Sequence, residues 1–295
     1  MTRTTPPRPV DVEALFPEVA PYRREATRLH PRQGEPGVRD SSVGGPLLWP
    51  AHEPWPHCTD AHPKIGFNPP PPGPVALVPV LQLYAADVPE LPFPPGTNLL
   101  QLLWCPYDHE PYYAPRPELR WRAADLDGPL LAHPPRPVGA PDNYMPAPCV
   151  LHPERVVEYP HWDLPEALGE TLRERFDRLK EESGWYWHEL SVAPGIKAGG
   201  YPNWTQEPDW PNCDGCGMRM DHLLTIDSAE FDGGSASTWL PEEDRPPVWI
   251  FDMPYEWRRR VQSAPDLMIG DMGGVYVFIC PRCPGQPYVY RSDCS

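Results

Sequence analysis

The sequence predicts an α+β protein, mainly β, built from two pseudo-symmetric repeats joined by a helix, with a four-cysteine zinc knuckle pair in the second repeat. Three observations predict it. The element GGYPNWTQEPDWPNC at 199–213 already stands, in a thinner version, as GGPLLWPAHEPWPHC at 44–58, so that Gly44, Gly45, Trp49, Trp55, Pro56 and Cys58 meet Gly199, Gly200, Trp204, Trp210, Pro211 and Cys213 at a constant offset of 155. Short apolar runs bracketed by Pro and Gly follow each copy in the same order, as buried strands do. One stretch alone carries a long helical period.

Taken in order, residues 1–23 read as an N-terminal tail, with residues 1–10 disordered and a short helical start from Asp11 broken by Pro17 and Pro21. The first repeat spans 24–111. Its strands are VALVPVLQLYAAD (75–87) and NLLQLLWCP (98–106), joined by a proline-rich connection. Residues 112–184 read as a proline-rich linker plus an amphipathic helix. In DLPEALGETLRERFDRLKEESG, Leu164, Leu168, Leu172, Phe176 and Leu179 form one stripe, expected to pack on a sheet. Asp163 is its N-cap candidate and Gly184 its stop. The second, zinc-bearing repeat spans 185–295. Strands are expected at 185–194, 222–228, 247–253, 274–281 and 288–292, where aromatic and β-branched residues alternate with turn formers. The interval between equivalent cysteines is 47 residues in the first copy and 67 in the second, which places a 20-residue insertion around SAEFDGGSASTWLPEEDRPP. The proline runs at 68–74 and 133–141 read as loops.

Length and charge narrow the function classes. A chain of 295 residues can bury a large core. A formal charge of −16 disfavours phosphate backbones, so no direct nucleic-acid partner is expected. It suits a basic protein partner, although acidity also serves solubility. No apolar run spans a membrane, and MTRTTPPRPVDVEALF lacks the apolar core of a secretion signal; the expected location is the cytoplasm.

In a reducing compartment eight cysteines point to metal rather than disulfides. Cys213 and Cys216 form one Cys-x-x-Cys turn, and Cys280 and Cys283 another. The duplication brings the two turns together, giving four thiolates suited to structural zinc, with no coordination position left for water. In the first copy Cys58 and Cys105 hold the equivalent places and Ala61 stands where Cys216 does. His62 and His109 complete a candidate site of two cysteines and two histidines, the alternative being a degenerate repeat that folds without metal. Nucleophile elbows, P-loops and zincin motifs are absent. The acids Asp227, Glu230 and Asp232 are the material for a rival reading, a hydrolase or modifying enzyme with a cleft between the repeats. Trp49 and Trp204, with Gly199, Gly200 and Gln206, are partner-binding candidates if the tryptophans line a groove, and core anchors if they do not.

The run GGYPNWTQ (199–206), the following Cys-x-x-Cys, LLTIDS and GDMGGVYVFICPRCP resemble the YwqG-like family, a bacterial family of unknown function. GGPLLWP, PVLQLYAADVPELPFPPG and LLQLLWCP are similar to its N-terminal half, so the resemblance covers most of 40–290. More distantly, the chain is similar to the eukaryotic programmed-cell-death-two proteins. The resemblance implies a mainly β, two-repeat fold, no established enzymatic activity, and a role like that of an escort for a basic protein. Gly199, Gly200, Pro202, Trp204 and Gln206 match the family motif, whereas Ala51 replaces the glutamine in the first copy.

Overall fold

The computed structural model describes residues 2–62, 71 and 73–294; the expected loop at 68–74 lies largely outside them. The first half of the chain supplies β1 (Arg24–Arg28), β2 (Arg32–Gln33), β3 (Ser42–Val43), β4 (His57–Cys58), β5 (Val75–Ala76), β6 (Val78–Tyr84), β7 (Leu99–His109) and β8 (Ala114–Arg122). Then come β9 (Cys149–Val150), β10 (Glu154–Glu158), β11 (Lys197–Gly199), β12 (Asp221–Asp227), β13 (Gly274–Ile279) and β14 (Tyr288–Asp293). The α-helices are α1 (Val12–Leu15), α2 (Glu166–Ser183), α3 (Trp187–Ser191), α4 (Ala236–Trp239) and α5 (Tyr255–Gln262).

Two six-stranded sheets dominate, with orders β10-β1-β11-β12-β13-β14 and β2-β9-β3-β6-β7-β8, beside the small pair β4-β5. The blocks β3-β6-β7-β8 and β11-β12-β13-β14 thus run in the same order. What links the sheets is one antiparallel ribbon in a single register. Arg24 faces Glu158 and Arg28 faces Glu154 in the first sheet; further along, Arg32 faces Val150 and Gln33 faces Cys149 in the second. Each sheet therefore contains a strand from both arms of the ribbon. The same tripeptide, Leu-His-Pro, marks the crossing on both arms, at 29–31 and 151–153.

The glycine pairs are small because other chain segments lie close over them, the ribbon over Gly199 and Gly200 and the stretch leading into β9 over Gly44. A Cβ on Gly200 (φ 67°) would lie 2.2 Å from Glu158 Oε2 and 2.7 Å from Ala26 Cβ. One on Gly44 (φ 62°) would lie 2.5 Å from the Pro146 carbonyl oxygen. Both positions also need a left-handed backbone, which glycine alone adopts without cost. The Glu158 carboxylate is itself buried. It accepts from Lys197 Nζ at 2.5 Å, from Ala193 N at 3.0 Å and from Tyr201 N at 2.8 Å.

The central strands explain why their sequences read as unbroken apolar runs. Alternate residues of a strand face opposite sides. In β7, Leu100, Leu102 and Trp104 enter one core while Leu103, Cys105 and Tyr107 enter another. In β13, Val275, Val277 and Ile279 join the first core, and Tyr276 and Phe278, with the following Cys280, enter a third. The first core is shared by both sheets. The other two are satellites on the outer faces, and each contains cysteines.

Several expectations need correction. The stretch 112–184 is not a linker: β8 is an edge strand of one sheet, and β9 and β10 belong to the crossing ribbon. Its prolines, Pro115 and Pro117, are tolerated because an edge strand leaves one side unpaired. Nor are residues 2–10 a loose tail. Thr5 N donates to Glu154 Oε1 at 2.7 Å and Arg8 Nε to the Leu190 carbonyl at 2.7 Å. The segment 185–194 contains α3 instead of a strand, and 247–253 holds a single 3-10 turn, Ile250–Asp252, close to Pro247 and Pro254. Helix α2 forms as expected and stops at Gly184 (φ 80°), but Pro165 occupies its N-cap position, and Asp163 instead accepts from the Trp210 indole. Its stripe packs on Phe16, Val19, Tyr159 and Trp187 and not on the shared core.

Candidate metal centres

Cys213 and Cys216 lie on a tight turn closed by Gly217 N donating to the Cys213 carbonyl at 2.7 Å, with Gly217 at φ 70°. Cys280 follows β13 directly, and its N–H donates to the Pro287 carbonyl at 2.9 Å, closing the second turn around Cys283. The four sulfurs lie within 4.8 Å of one another; Cys213 to Cys283 is 3.7 Å and Cys216 to Cys280 is 3.6 Å. A tetrahedron with metal–sulfur bonds of about 2.3 Å has edges of about 3.8 Å. These spacings fit a shared cation and are far beyond the roughly 2.05 Å of a disulfide. Gly215 brings its turn close to the cluster, since a Cβ on it would sit 3.4 Å from Cys283 Sγ.

The first half makes a matching cluster. Ligand atoms of Cys58, His62, Cys105 and His109 also lie within 4.8 Å of one another, and all four residues are buried. Cys58 comes from β4, whereas Cys105 and His109 come from β7, whose pairing with β8 shifts between Cys105 and Asp108. Burial pushes the His109 imidazole down to about 4 and lowers His62 too, so both rings are neutral at pH 7, the form that ligates. Burial, with Cys58 alongside, pushes the Cys105 thiol well up.

Two residues at this cluster were not foreseen. Asp60 Oδ2 lies 3.6 Å from His109 Nδ1, and Arg116 pairs with Asp60 while its other amino group donates to Cys58 Sγ at 3.2 Å. Arg116 sits on β8, inside the stretch whose prolines mask its strand character. Alternation of Leu119 and Trp121 with Glu118, Arg120 and Arg122 was the available signal.

The duplicated tryptophans sit against these clusters. Trp49 packs on Trp55 with ring centroids 4.8 Å apart, in the satellite core that holds Cys58 and Cys105, and the Arg122 guanidinium lies 4.2 Å above its ring. Trp204 packs with Tyr276, Phe278, Cys213 and Cys280. Trp49 and Trp204 are thus interior residues. Gly199 and Gly200 lie against the crossing ribbon, and Gln206 donates to the Cys294 carbonyl at 2.7 Å. The three acids are engaged separately. Asp227 accepts from Ala229 N at 3.2 Å, Glu230 from Ile196 N at 3.1 Å, and Asp232 from Ser235 N at 2.7 Å at the start of α4.

Fold and clusters together define a mainly β protein of two open sheets with two Cys/His groups positioned to hold a metal ion, the first buried throughout and the second with Cys216 at the surface. Residues 41–282 match the profile of a domain of unknown function, DUF1963, and the chain belongs to that family. A search of curated proteins returns no match. Among the described residues no helix is long and apolar enough to cross a membrane.

Proposed function

We propose that the chain is an acidic, non-enzymatic protein-binding module that holds or escorts a basic partner. The observation that carries this reading is a groove of about 790 Å³ beside α2. Phe176 and Trp187 line it together with Glu166, Glu170, Asp177 and Glu207, which outnumber the bases Arg173 and Lys180. An exposed aromatic in the same groove, Trp162, offers a ring face to lysine or arginine side chains, and Tyr186 already holds the Lys180 ammonium 4.4 Å from its ring centroid, a contact of the same kind. The formal charge of −16 would draw such a segment in from a distance.

Within this reading the two halves are degenerate copies of one ancestral unit, supported by the 155-residue offset and the parallel strand orders. The Cys213, Cys216, Cys280 and Cys283 cluster holds structural zinc, supported by the sulfur spacings and by a four-thiolate donor set. The family is the YwqG-like one, and the free thiols suit the cytoplasm.

A labelled arginine-rich peptide tests the binding claim by fluorescence anisotropy. Binding should weaken as salt rises and fall at least tenfold in the triple variant Glu166→Gln, Glu170→Gln, Asp177→Asn. Equal binding of an acidic control peptide, or no loss in the variant, would count against the groove.

A further inference from the structure

We propose that Cys58, His62, Cys105 and His109 form a second closed metal site, taking zinc in tetrahedral coordination by two thiolates and two imidazoles. It stands independently of the partner reading. Three lines of geometry and one of sequence support it. The ligand atoms cluster within 4.8 Å, with Cys105 Sγ only 3.5 Å from His62 Nε2. His109 is 8 % exposed, and its Nε2 has no hydrogen-bond partner among the described residues, a costly arrangement unless a ligand takes the lone pair. Its other nitrogen lies 3.6 Å from Asp60 Oδ2, just beyond a hydrogen bond, on the side where the carboxylate–histidine pairing of metal ligands places its acid. Asp60 is in turn held by Arg116, which also reaches Cys58 Sγ.

The fourth line is positional. Each half keeps the first cysteine of both turns, Cys58 and Cys105 against Cys213 and Cys280. Each second cysteine is replaced by a histidine one position further along: Cys213-x-x-Cys216 becomes Cys58-x-x-x-His62, and Cys280-x-x-Cys283 becomes Cys105-x-x-x-His109. A longer side chain set back by one residue can point at the same centre. Both exchanges are of that kind, so the donor set has changed while the site has kept four ligands. Charge also balances. Two thiolates neutralise a divalent cation, and Asp60 and Arg116 neutralise each other. The donor set is that of structural zinc, and four protein ligands leave no place for a reactive water. The cation would fasten the β4-β5 pair to the end of β7.

Metal content of the zinc-replete full-length protein is the test. Wild type should carry two equivalents, His109→Ala and Cys283→Ser one each, and the double variant none. Cobalt exchange then separates the two: Cys283→Ser should leave a two-thiolate spectrum, His109→Ala a four-thiolate one. One equivalent in wild type, lost with Cys283→Ser and kept in His109→Ala, overturns this proposal and leaves the four-cysteine site standing. One equivalent lost with His109→Ala and kept in Cys283→Ser supports it and removes the four-cysteine site instead. The wild-type count is informative even if a variant fails to fold, since fewer than one equivalent overturns both.

Discussion

Two residues of β12 set opposing demands on pH. Burial raises the Asp227 carboxyl from 3.8 to about 7 and lowers the His222 imidazole from 6.5 to about 3. His222 is held as the neutral Nδ1–H tautomer, donating to the Gly199 carbonyl at 2.9 Å and facing Thr225 Oγ1 at 3.0 Å. The raised acid contributes stability below its unfolded value that is lost as pH rises through about 7. The depressed histidine contributes stability above 6.5 that is lost as pH falls through about 3. Between 3.8 and 6.5 the two slopes oppose, each about 1.4 kcal/mol per pH unit. Asp227→Asn should therefore lose stability on acidification from about pH 6.5 to about 4.5, and His222→Gln should gain it over the same range. Guanidinium melts at several pH values read both slopes; variants running parallel to wild type would refute the assignment. At this scale the four cysteines of the second cluster were readable from their Cys-x-x-Cys spacing and the duplication together, and His62 and His109 only as one of two alternatives. Asp60 and Arg116 were not, because their role depends on a strand pairing that brings 116 beside 105.

At the scale of elements, legibility followed burial. β6, β7, β12 and β13 are central, and each is a run with cores on both faces or nearly so. Their period is hidden, but their length and bracketing remain. β8 was lost to prolines that only an edge permits. WYWHEL looked like a strand from its aromatics, yet the Glu189 carboxylate reaches back to accept from Tyr186 N at 3.0 Å, one half of a capping box, where α3 starts. Helix α2 was legible in its stripe and its stop at Gly184 but not in its N-cap, and its partners were not legible, because Phe16 and Trp187 lie far from it or beyond its end in sequence. Since its core shares no buried residue with the core between the sheets, α2 should behave as a satellite. Leu172 is fully buried there, and Leu172→Ala should cost about 2–4 kcal/mol. Amide exchange should quicken across 166–191 and 12–22 while β6, β7, β12 and β13 keep their protection. Uniform quickening over the whole chain would show that the helix belongs to the main cooperative unit.

For the whole molecule the crossing ribbon decides how the halves relate. The sequence suggested two repeats joined by a helix, which invites the idea of two domains that fold separately. The sheets argue otherwise. β1 lies between β10 and β11, and β9 between β2 and β3, so each sheet takes main-chain partners from both sides of the loop near Gly139. Leu29, Val80, Leu102 and Trp104 share one core with Ile196, Leu224, Ile226 and Val277. A chain divided in the loop near Gly139 would leave the first piece without β9 and the second without β1. In each piece a ribbon arm would lack its partner, and one face of the central strands would meet water. Unpaired buried-type edges of that kind aggregate or stay unfolded. Neither piece should show a cooperative thermal transition alone. Co-expressed, the two should copurify as a one-to-one complex with a circular dichroism spectrum close to that of the intact chain, because the ribbon register is carried wholly by residues 24–33 and 149–158. A sharp melt from either piece by itself would mean that the exchanged strands are dispensable and that the halves are domains after all.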